Sequence, residues 1–298
     1  MPFSPEETVA CRRLVALALE EDLGSAGDLT SQAVIPRDLK ARTVFVARSP
    51  GVLAGLPAVA LVLEAVDAEL RLETHHEEGS RVAAGAAIAT LSGPMRAILA
   101  AERTALNFLQ HLSGIATLTR CYVDAVAGLP CKILDTRKTI PGWRLLAKYA
   151  VRLGGGHNHR LGLHDGILIK DNHLSALHKG VAAIAEAVAA SLAYSAQRVW
   201  VEVEVENLAQ LECAFACNPA MVLLDNMDVP ALSQAVQLRN LRAPGILLEA
   251  SGGVNLQTVR AIAETGVDRV SVGALTHSAP AMDIALDYSF GTGDCHTP

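Results

Sequence analysis

Two periodicities divide the chain. Between about residues 40 and 98 the pattern is strand-like, with apolar and polar positions alternating in RTVFVA (42–47), ELRLET (69–74) and AIATL (87–91). A helix-compatible apolar stretch, 56–68, lies among them. The segment EGSRVAAG (78–85) has glycine at both turns and faintly resembles a swinging-arm carrier hairpin, but no lysine stands where a carrier needs one, so it is read as structural. The first 24 residues predict an amphipathic helix. Residues 99–128 predict a long helix with Leu106, Leu109, Leu112 or Ser113, and Ala116 on its apolar face, ended by Gly128-Leu129-Pro130.

After residue 130 short apolar runs recur, and each ends in a polar or charged cluster: KILDTRK (132–138), ILIKDN (167–172), VWVEVE (199–204), VLLDN (222–226), ILLEASGG (246–253) and VSVG (270–273). Helix-compatible stretches such as 181–196 and 255–265 separate them. The polar ends Asp135, Lys170, Glu204, Asp225, Glu249 and Ser271 follow one another at 35, 34, 21, 24 and 22 residues. That is the beat of a βα repeat with a parallel sheet, either a barrel or a doubly wound sheet. In a barrel the C-terminal strand ends line one mouth, where active sites lie.

Composition narrows the function. The chain has 298 residues, is 51% hydrophobic and carries a net charge of −6, which fits a folded enzyme and argues against disorder and against a globally basic nucleic-acid binder. With 4% aromatics, stacking platforms for single strands are not expected either. The apolar run from 51 to 63 stops at Glu64, short of the roughly 18–20 residues of a membrane span. The N-terminus lacks the basic start of a signal peptide. Six cysteines (11, 121, 131, 213, 217, 295) show no CxxC and no framework spacing; Cys213 and Cys217, four apart, are read as helix packing. The expectation is a cytoplasmic enzyme with reduced thiols.

Three constellations carry chemistry. Residues 137–170 hold seven Lys or Arg and one acid, a local charge of +6. Arg144, Lys148 and Arg152, at helical spacing, read as a solvated basic face. Arg137, Lys138 and Lys170 directly follow apolar strands and read as a site for a polyanionic small molecule. Glu202, Glu204 and Glu206 alternate, so a strand turns all three to one side; with Asp225, Glu204 offers hard oxygens for Mg²⁺, directly or through water, or for ribose hydroxyls. The bland alternative puts Glu206 in the loop and pairs Glu202 with a lysine. Ser251-Gly252-Gly253, between a strand and a helix, and Ser271-Val272-Gly273 one unit later suit a phosphate. Two alternatives remain open: a Schiff base on Lys170, and a transition metal on His157, His159 and His164, against which Gly154-Gly155-Gly156 and Arg160 favour anion capture.

These motifs together resemble the quinolinate phosphoribosyltransferase family over nearly the whole length. The resemblance is carried by EDLGSAGDLT (21–30), ERTALN (102–107), HLSGIA (111–116), DTRKTIPG (135–142), KYAV (148–151), GGGHNHR (154–160), KDNH (170–173), EVE (202–204), LDN (224–226) and ASGG (250–253).

The resemblance implies an N-terminal α/β sandwich (1–115, with 276–298 returning to it) and an open α/β barrel (116–275). It implies a homodimer or an assembly of dimers. The implied reaction joins quinolinate to 5-phosphoribosyl 1-diphosphate with Mg²⁺ and yields nicotinate mononucleotide, CO₂ and diphosphate, a step of de novo NAD synthesis. Thr136, Arg137, Lys138, His159, Arg160 and Lys170 would hold quinolinate, with Arg103 supplied by the partner subunit. Glu204 and Asp225 would serve ribose and Mg²⁺. Ser251, Gly252, Gly253, Ser271 and Gly273 would hold the 5-phosphate. Lys138, Lys170, Glu204 and Asp225 form the implied catalytic set. A related transferase acting on another heterocyclic acid is the runner-up; a one-carboxylate acid needs fewer cations.

Overall fold

The computed structural model describes residues 2–196 and 198–288. In chain order the elements are α1 (Pro5–Leu23), α2 (Leu29–Val34), β1 (Lys40–Ala47), β2 (Gly51–Val52), α3 (Leu56–Val66), β3 (Arg71–Thr74), β4 (Arg81–Val82), β5 (Ala87–Pro94) and α4 (Met95–Ala125). Then come β6 (Lys132–Leu134), α5 (Arg144–Leu153), β7 (Ile167–Ile169), α6 (Asp171–Ala176), α7 (Ala182–Ser195), β8 (Val201–Val205), α8 (Leu208–Ala216) and β9 (Met221–Asp225). The last are α9 (Val229–Arg242), β10 (Leu247–Ser251), α10 (Val259–Glu264), β11 (Arg269–Ser271), α11 (Ala274–His277) and β12 (Ile284–Tyr288). No helix among the described residues is long and apolar enough to cross a membrane.

The chain divides into two compact units: Met1–Arg120, Ile140–Gly155 and Ala279–Pro298 form one, Cys121–Thr139 and Gly156–Ser278 the other. The division falls inside α4, a continuous helix, a few residues beyond the expected boundary at 115. It also assigns α5 to the first unit and starts the returning segment at Ala279. The expected return extends to 298, and its last part, 289–298 with Cys295, lies outside the described residues.

The first unit is an α/β sandwich around an antiparallel sheet of order β12-β1-β5-β3. In β1 the alternation read from the sequence is real: Thr43, Phe45 and Ala47 are buried, and the intervening residues are half-buried or exposed. Ser4 caps α1 in a reciprocal box with Glu7, and Pro5 opens the helix. In α4, Gly114 allows a close approach: a Cβ there would stand 2.1 Å from the carbonyl oxygen of Pro280. Glu78 is a further anchor; its carboxylate accepts from the amides of Gly55 (2.9 Å) and Leu56 (2.8 Å) at the start of α3 and from the Tyr149 hydroxyl (2.6 Å). The solvated basic face expected for α5 is only partly there. Lys148 is fully buried, and Arg152 pairs with Glu7 at 2.5 Å. Lys148 falls on the apolar side of α5, between Leu146, Ala147 and Tyr149, Ala150, all buried; i, i+4 spacing alone does not say which face meets solvent.

The second unit contains one six-stranded parallel sheet of order β6-β11-β10-β9-β8-β7. The five strands β7 to β11 neighbour in chain order, and β6 joins β11, so the order is cyclic with one opening, between β6 and β7. This is an open barrel. Beside that opening the segment after the Gly154–Gly156 turn lies along β6: His157 bridges Leu134, its N–H donates to Ile133 O at 2.8 Å, and its carbonyl accepts from Asp135 N at 3.1 Å. The strands are short and buried on both faces, as a parallel sheet with helices outside requires. In β8 all five residues are buried, with Val201, Val203 and Val205 on the face opposite Glu202 and Glu204.

Candidate active site

The six strands run parallel, so their C-terminal ends meet at one mouth of the second unit. A cavity of about 590 Å³ opens there. Each strand delivers side chains to it: β6 leads into Thr136, Arg137 and Lys138, β7 into Lys170, and β8 carries Glu204. Strands β9, β10 and β11 end in Asp225, Ser251 and Ser271, with Gly252 and Gly253 following Ser251. His159 and Arg160 come from the segment beside β6. Twelve of the fourteen residues expected in the site therefore line one cavity. Gly273 does not line it; it packs instead beneath Lys138, whose Cδ would be 3.1 Å from a Cβ at that position. Arg103 belongs to the first unit, on α4, where it is exposed and lines a separate hollow of about 210 Å³ with Glu21, Asp22 and Trp143.

Asp135 organises the cationic wall. It is fully buried at the end of β6, and its carboxylate accepts from the Asn158 side-chain amide (2.6 Å) and from the His159 backbone N–H (2.9 Å). This places Arg160, a buried guanidinium whose Nη1 donates to Gly166 O at 2.9 Å. Burial, with the nearby charge of Arg137 second, lowers the Arg160 pKa. The nearby carboxylate of Glu202 acts the other way and offsets part of that cost.

Below the cations lies a pair of buried acids. Glu202 and Glu249 are 0% and 1% exposed. Glu202 Oε1 and both oxygens of Glu249 have no hydrogen-bond partner among the described residues. His159 Nε2 is 3.1 Å from Glu202 Oε2 and 3.5 Å from Glu249 Oε1. The three groups bring ligating atoms within 4.8 Å of one another. The tautomer argues against a metal there. Nδ1 of His159 accepts from the Arg160 backbone N–H at 2.7 Å, so Nε2 carries the proton and donates to Glu202 Oε2. Burial is the main cause that pushes both acids up, to about 7; the mutual proximity of the two adds to it for Glu249.

The row of three carboxylates expected along β8 is corrected: Glu206 lies past the strand, exposed, and the third buried acid is Glu249 from β10. The pairing of Glu202 with a lysine also does not occur; its partner is His159, and the lysine contact belongs to Glu204, whose Oε2 is 2.5 Å from Lys170 Nζ. Glu249 was visible in the sequence only as a strand-end acid. The signal that could have found it is an acid within the apolar run ILLEAS, two residues before the Ser-Gly-Gly turn. Of the three histidines weighed as metal ligands, only His159 sits among acids; His157 is exposed.

The buried acids make a pH prediction. A carboxyl held near 7 keeps in the folded state a proton that the unfolded chain releases near 4.5. Its contribution to stability is complete below about pH 4.5 and is lost as pH rises through about 7. Glu249→Gln, which keeps the shape without the charge, should therefore be stabilised relative to the parent at about pH 8.5 and not at about pH 5. Thermal melts of both proteins at the two pH values check this; a difference in Tm that is independent of pH would contradict it.

Comparison with known proteins agrees with this geometry. The profile described as "Quinolinate phosphoribosyl transferase, C-terminal domain" matches residues 115–287, and that described as "Quinolinate phosphoribosyl transferase, N-terminal domain" matches 28–113. The chain is 47% identical over 280 residues to a nicotinate-nucleotide pyrophosphorylase [carboxylating] of Mycobacterium leprae, covering 93% of this chain and 97% of that protein. It is 41% identical over 294 residues to quinolinate phosphoribosyltransferase [decarboxylating] 1b of Nicotiana tabacum, covering 94% and 82%. Among solved structures, the nicotinate-nucleotide pyrophosphorylase of Francisella tularensis superposes with a TM-score of 0.87 at 39% identity, covering 95% of this chain and 97% of the other. With a sandwich unit, an open parallel barrel and the two profiles matched in succession over 28–113 and 115–287, the chain belongs to the quinolinate phosphoribosyl transferase family.

Proposed function

We propose that this chain transfers the phosphoribosyl group of 5-phosphoribosyl 1-diphosphate to the ring nitrogen of quinolinate, with loss of CO₂, giving nicotinate mononucleotide and diphosphate. The observation that carries the reading is one cavity whose wall is cationic on the β6–β7 side (Arg137, Lys138, Arg160, Lys170) and acidic on the β8–β9 side (Glu204, Asp225). A dicarboxylate and a ribosyl donor need these two surfaces side by side.

The division of labour follows from charge. Arg137, Lys138, Arg160 and Lys170 clamp the two carboxylates of the acid substrate and so aim its ring nitrogen at the anomeric carbon. His159, with both ring nitrogens committed to the protein, braces the Arg160 backbone. Glu204 and Asp225 face the sugar. As the C–O bond to diphosphate breaks, positive charge develops on the ribose, and the acid side of the cavity favours it. The ring nitrogen then bonds to the anomeric carbon. The resulting cationic ring draws the electron pair of the adjacent C–CO₂⁻ bond; CO₂ leaves, and the ring carbon takes a proton from water. No general base is required. The Lys170–Glu204 ion pair suits a charged lysine in an anion clamp and not a Schiff-base nucleophile.

The donor set fits Mg²⁺. Glu204 and Asp225 are hard carboxylates at the mouth; Oε2 of Glu204 is taken by Lys170 Nζ and Oδ2 of Asp225 by Asn226 Nδ2, which leaves one oxygen of each without a hydrogen bond among the described residues. Bound there with the diphosphate, directly or through water, Mg²⁺ supplies neutralisation of the leaving group's charge. Ser251, Gly252, Gly253 and Ser271 take the 5-phosphate.

The reading includes a cytoplasmic homodimer or assembly of dimers in which Arg103 serves the partner's cavity. The five described cysteines are free thiols, in keeping with a reducing compartment. The purified protein with both substrates and Mg²⁺ should release CO₂ and form nicotinate mononucleotide in equal amounts. Absence of CO₂, or preferential use of nicotinate, would overturn the assignment.

Arg103 has its own test. Refolding Arg103→Ala together with Lys170→Ala should restore about a quarter of parental activity, because half the randomly paired dimers are mixed and each has one of two sites whole. No recovery, with dimers confirmed by sizing, would place Arg103 outside the partner's site.

A further inference from the structure

At the junction of β9 and β10 a residue outside the expected site joins its acid to its glycine turn. Asn226 follows Asp225 directly and lines the cavity. Its φ is +54°, in the left-handed region where glycine is the usual occupant and asparagine the common alternative. A turn that needed only the backbone conformation would be served by glycine. The asparagine side chain is in use. Its Nδ2 donates to Asp225 Oδ2 at 2.6 Å. A carboxylate only accepts, so the amide orientation is determined: nitrogen toward Asp225, oxygen away from it.

That oxygen lies over Gly252. A Cβ on Gly252 would stand 2.1 Å from Asn226 Oδ1 and 2.9 Å from Asn226 N, closer than any side chain permits, and the φ of Gly252 is itself +98°. The backbone completes the junction: Asn226 N donates to Ser251 O at 2.9 Å. One residue thus touches both the acid assigned to the ribose and the turn assigned to the 5-phosphate. Within the phosphoribosyl-transfer reading, on which this rests, we propose that Asn226 is a positioning residue for the phosphoribosyl donor: it orients Asp225 through Nδ2 and holds the Ser251–Gly252 turn in register through its main chain and Oδ1.

The consequence is selective. Among the described residues the hydrogen bonds of Asn226 and its close approach to Gly252 are all on the donor side. Loss of the amide should weaken the donor and spare the acid substrate. Two variants separate the amide from the backbone. Asn226→Gly keeps the left-handed conformation and removes the amide. Asn226→Asp keeps the size and sets a second carboxylate against Asp225 in place of a donor.

Calorimetric titration of the parent and both variants with 5-phosphoribosyl 1-diphosphate and Mg²⁺, and separately with quinolinate, tests the proposal, with steady-state KM values for each substrate alongside. The expected result is a donor affinity at least about tenfold lower in Asn226→Gly and lower still in Asn226→Asp, as expected for a lost charge-assisted hydrogen bond, with quinolinate affinity within about twofold of the parent. Retained quinolinate affinity also shows that the variants are folded. If Asn226→Gly binds the donor as the parent does, the amide has no positioning role and the proposal fails. If both substrates weaken equally, the residue is merely structural and the proposal fails. If the parent itself binds no donor, the phosphoribosyl-transfer reading fails first and takes this inference with it.

Discussion

The contact between Lys170 and Glu204, 2.5 Å apart at the ends of two adjacent strands, expresses the constraint on which the mouth depends. The cavity concentrates cations to hold an acid, and an assembly of cations must be balanced to fold at all. The balance is built into the strands. Glu202 and Glu204 alternate with valines on β8, Glu249 stands on β10, and Asp135 follows β6, so buried carboxylates stand on the same strands that bring the cations to the cavity. Each acid is either engaged by a donor or pushed up by burial. Asp135 is spent on Asn158 and the His159 backbone, and Glu204 on Lys170, while Glu202 and Glu249 are held near 7.

The opening of the barrel serves the same end. A closed sheet would pair β6 with β7. Here the segment carrying His157 lies along β6 instead, and the residues that follow it, Asn158 to Arg160, reach the mouth without belonging to any strand. His159 is a strut in this arrangement. Its backbone N–H is held by Asp135, its Nδ1 by Arg160 N and its Nε2 by Glu202, and its ring meets Trp200 edge-on at 5.4 Å. His159 thus holds the Arg160 backbone in place, while the guanidinium itself donates through Nη1 to Gly166 O.

Much of this was legible in the chain. Each of the six apolar runs holds one strand of the parallel sheet, because a short parallel strand buried on both faces is mostly apolar until it emerges at the mouth. Ten of the twelve expected residues that line the cavity stand at or just beyond such a strand end; His159 and Arg160 come instead from the segment beside β6. The errors have a common source. The spacing of Arg144, Lys148 and Arg152 identified a helix face but not its environment, and Lys148 is buried. The alternation of Glu202, Glu204 and Glu206 identified a side of β8 but not the strand's end, so Glu206 fell outside and Glu249 was missed. Local pattern specifies which residues share a face; what that face meets is decided by strands and helices distant in sequence.

The central claim is that the cations of the β6–β7 side bind the dicarboxylate and the acids of the β8–β9 side bind the ribosyl donor. Titration of Arg137→Ala with each substrate by calorimetry tests it most directly. Removing one charge-assisted contact of about 1.5–3 kcal/mol should weaken quinolinate binding by at least about tenfold and leave donor binding within about twofold. Unchanged quinolinate affinity, or an equal loss for both substrates, would contradict the account.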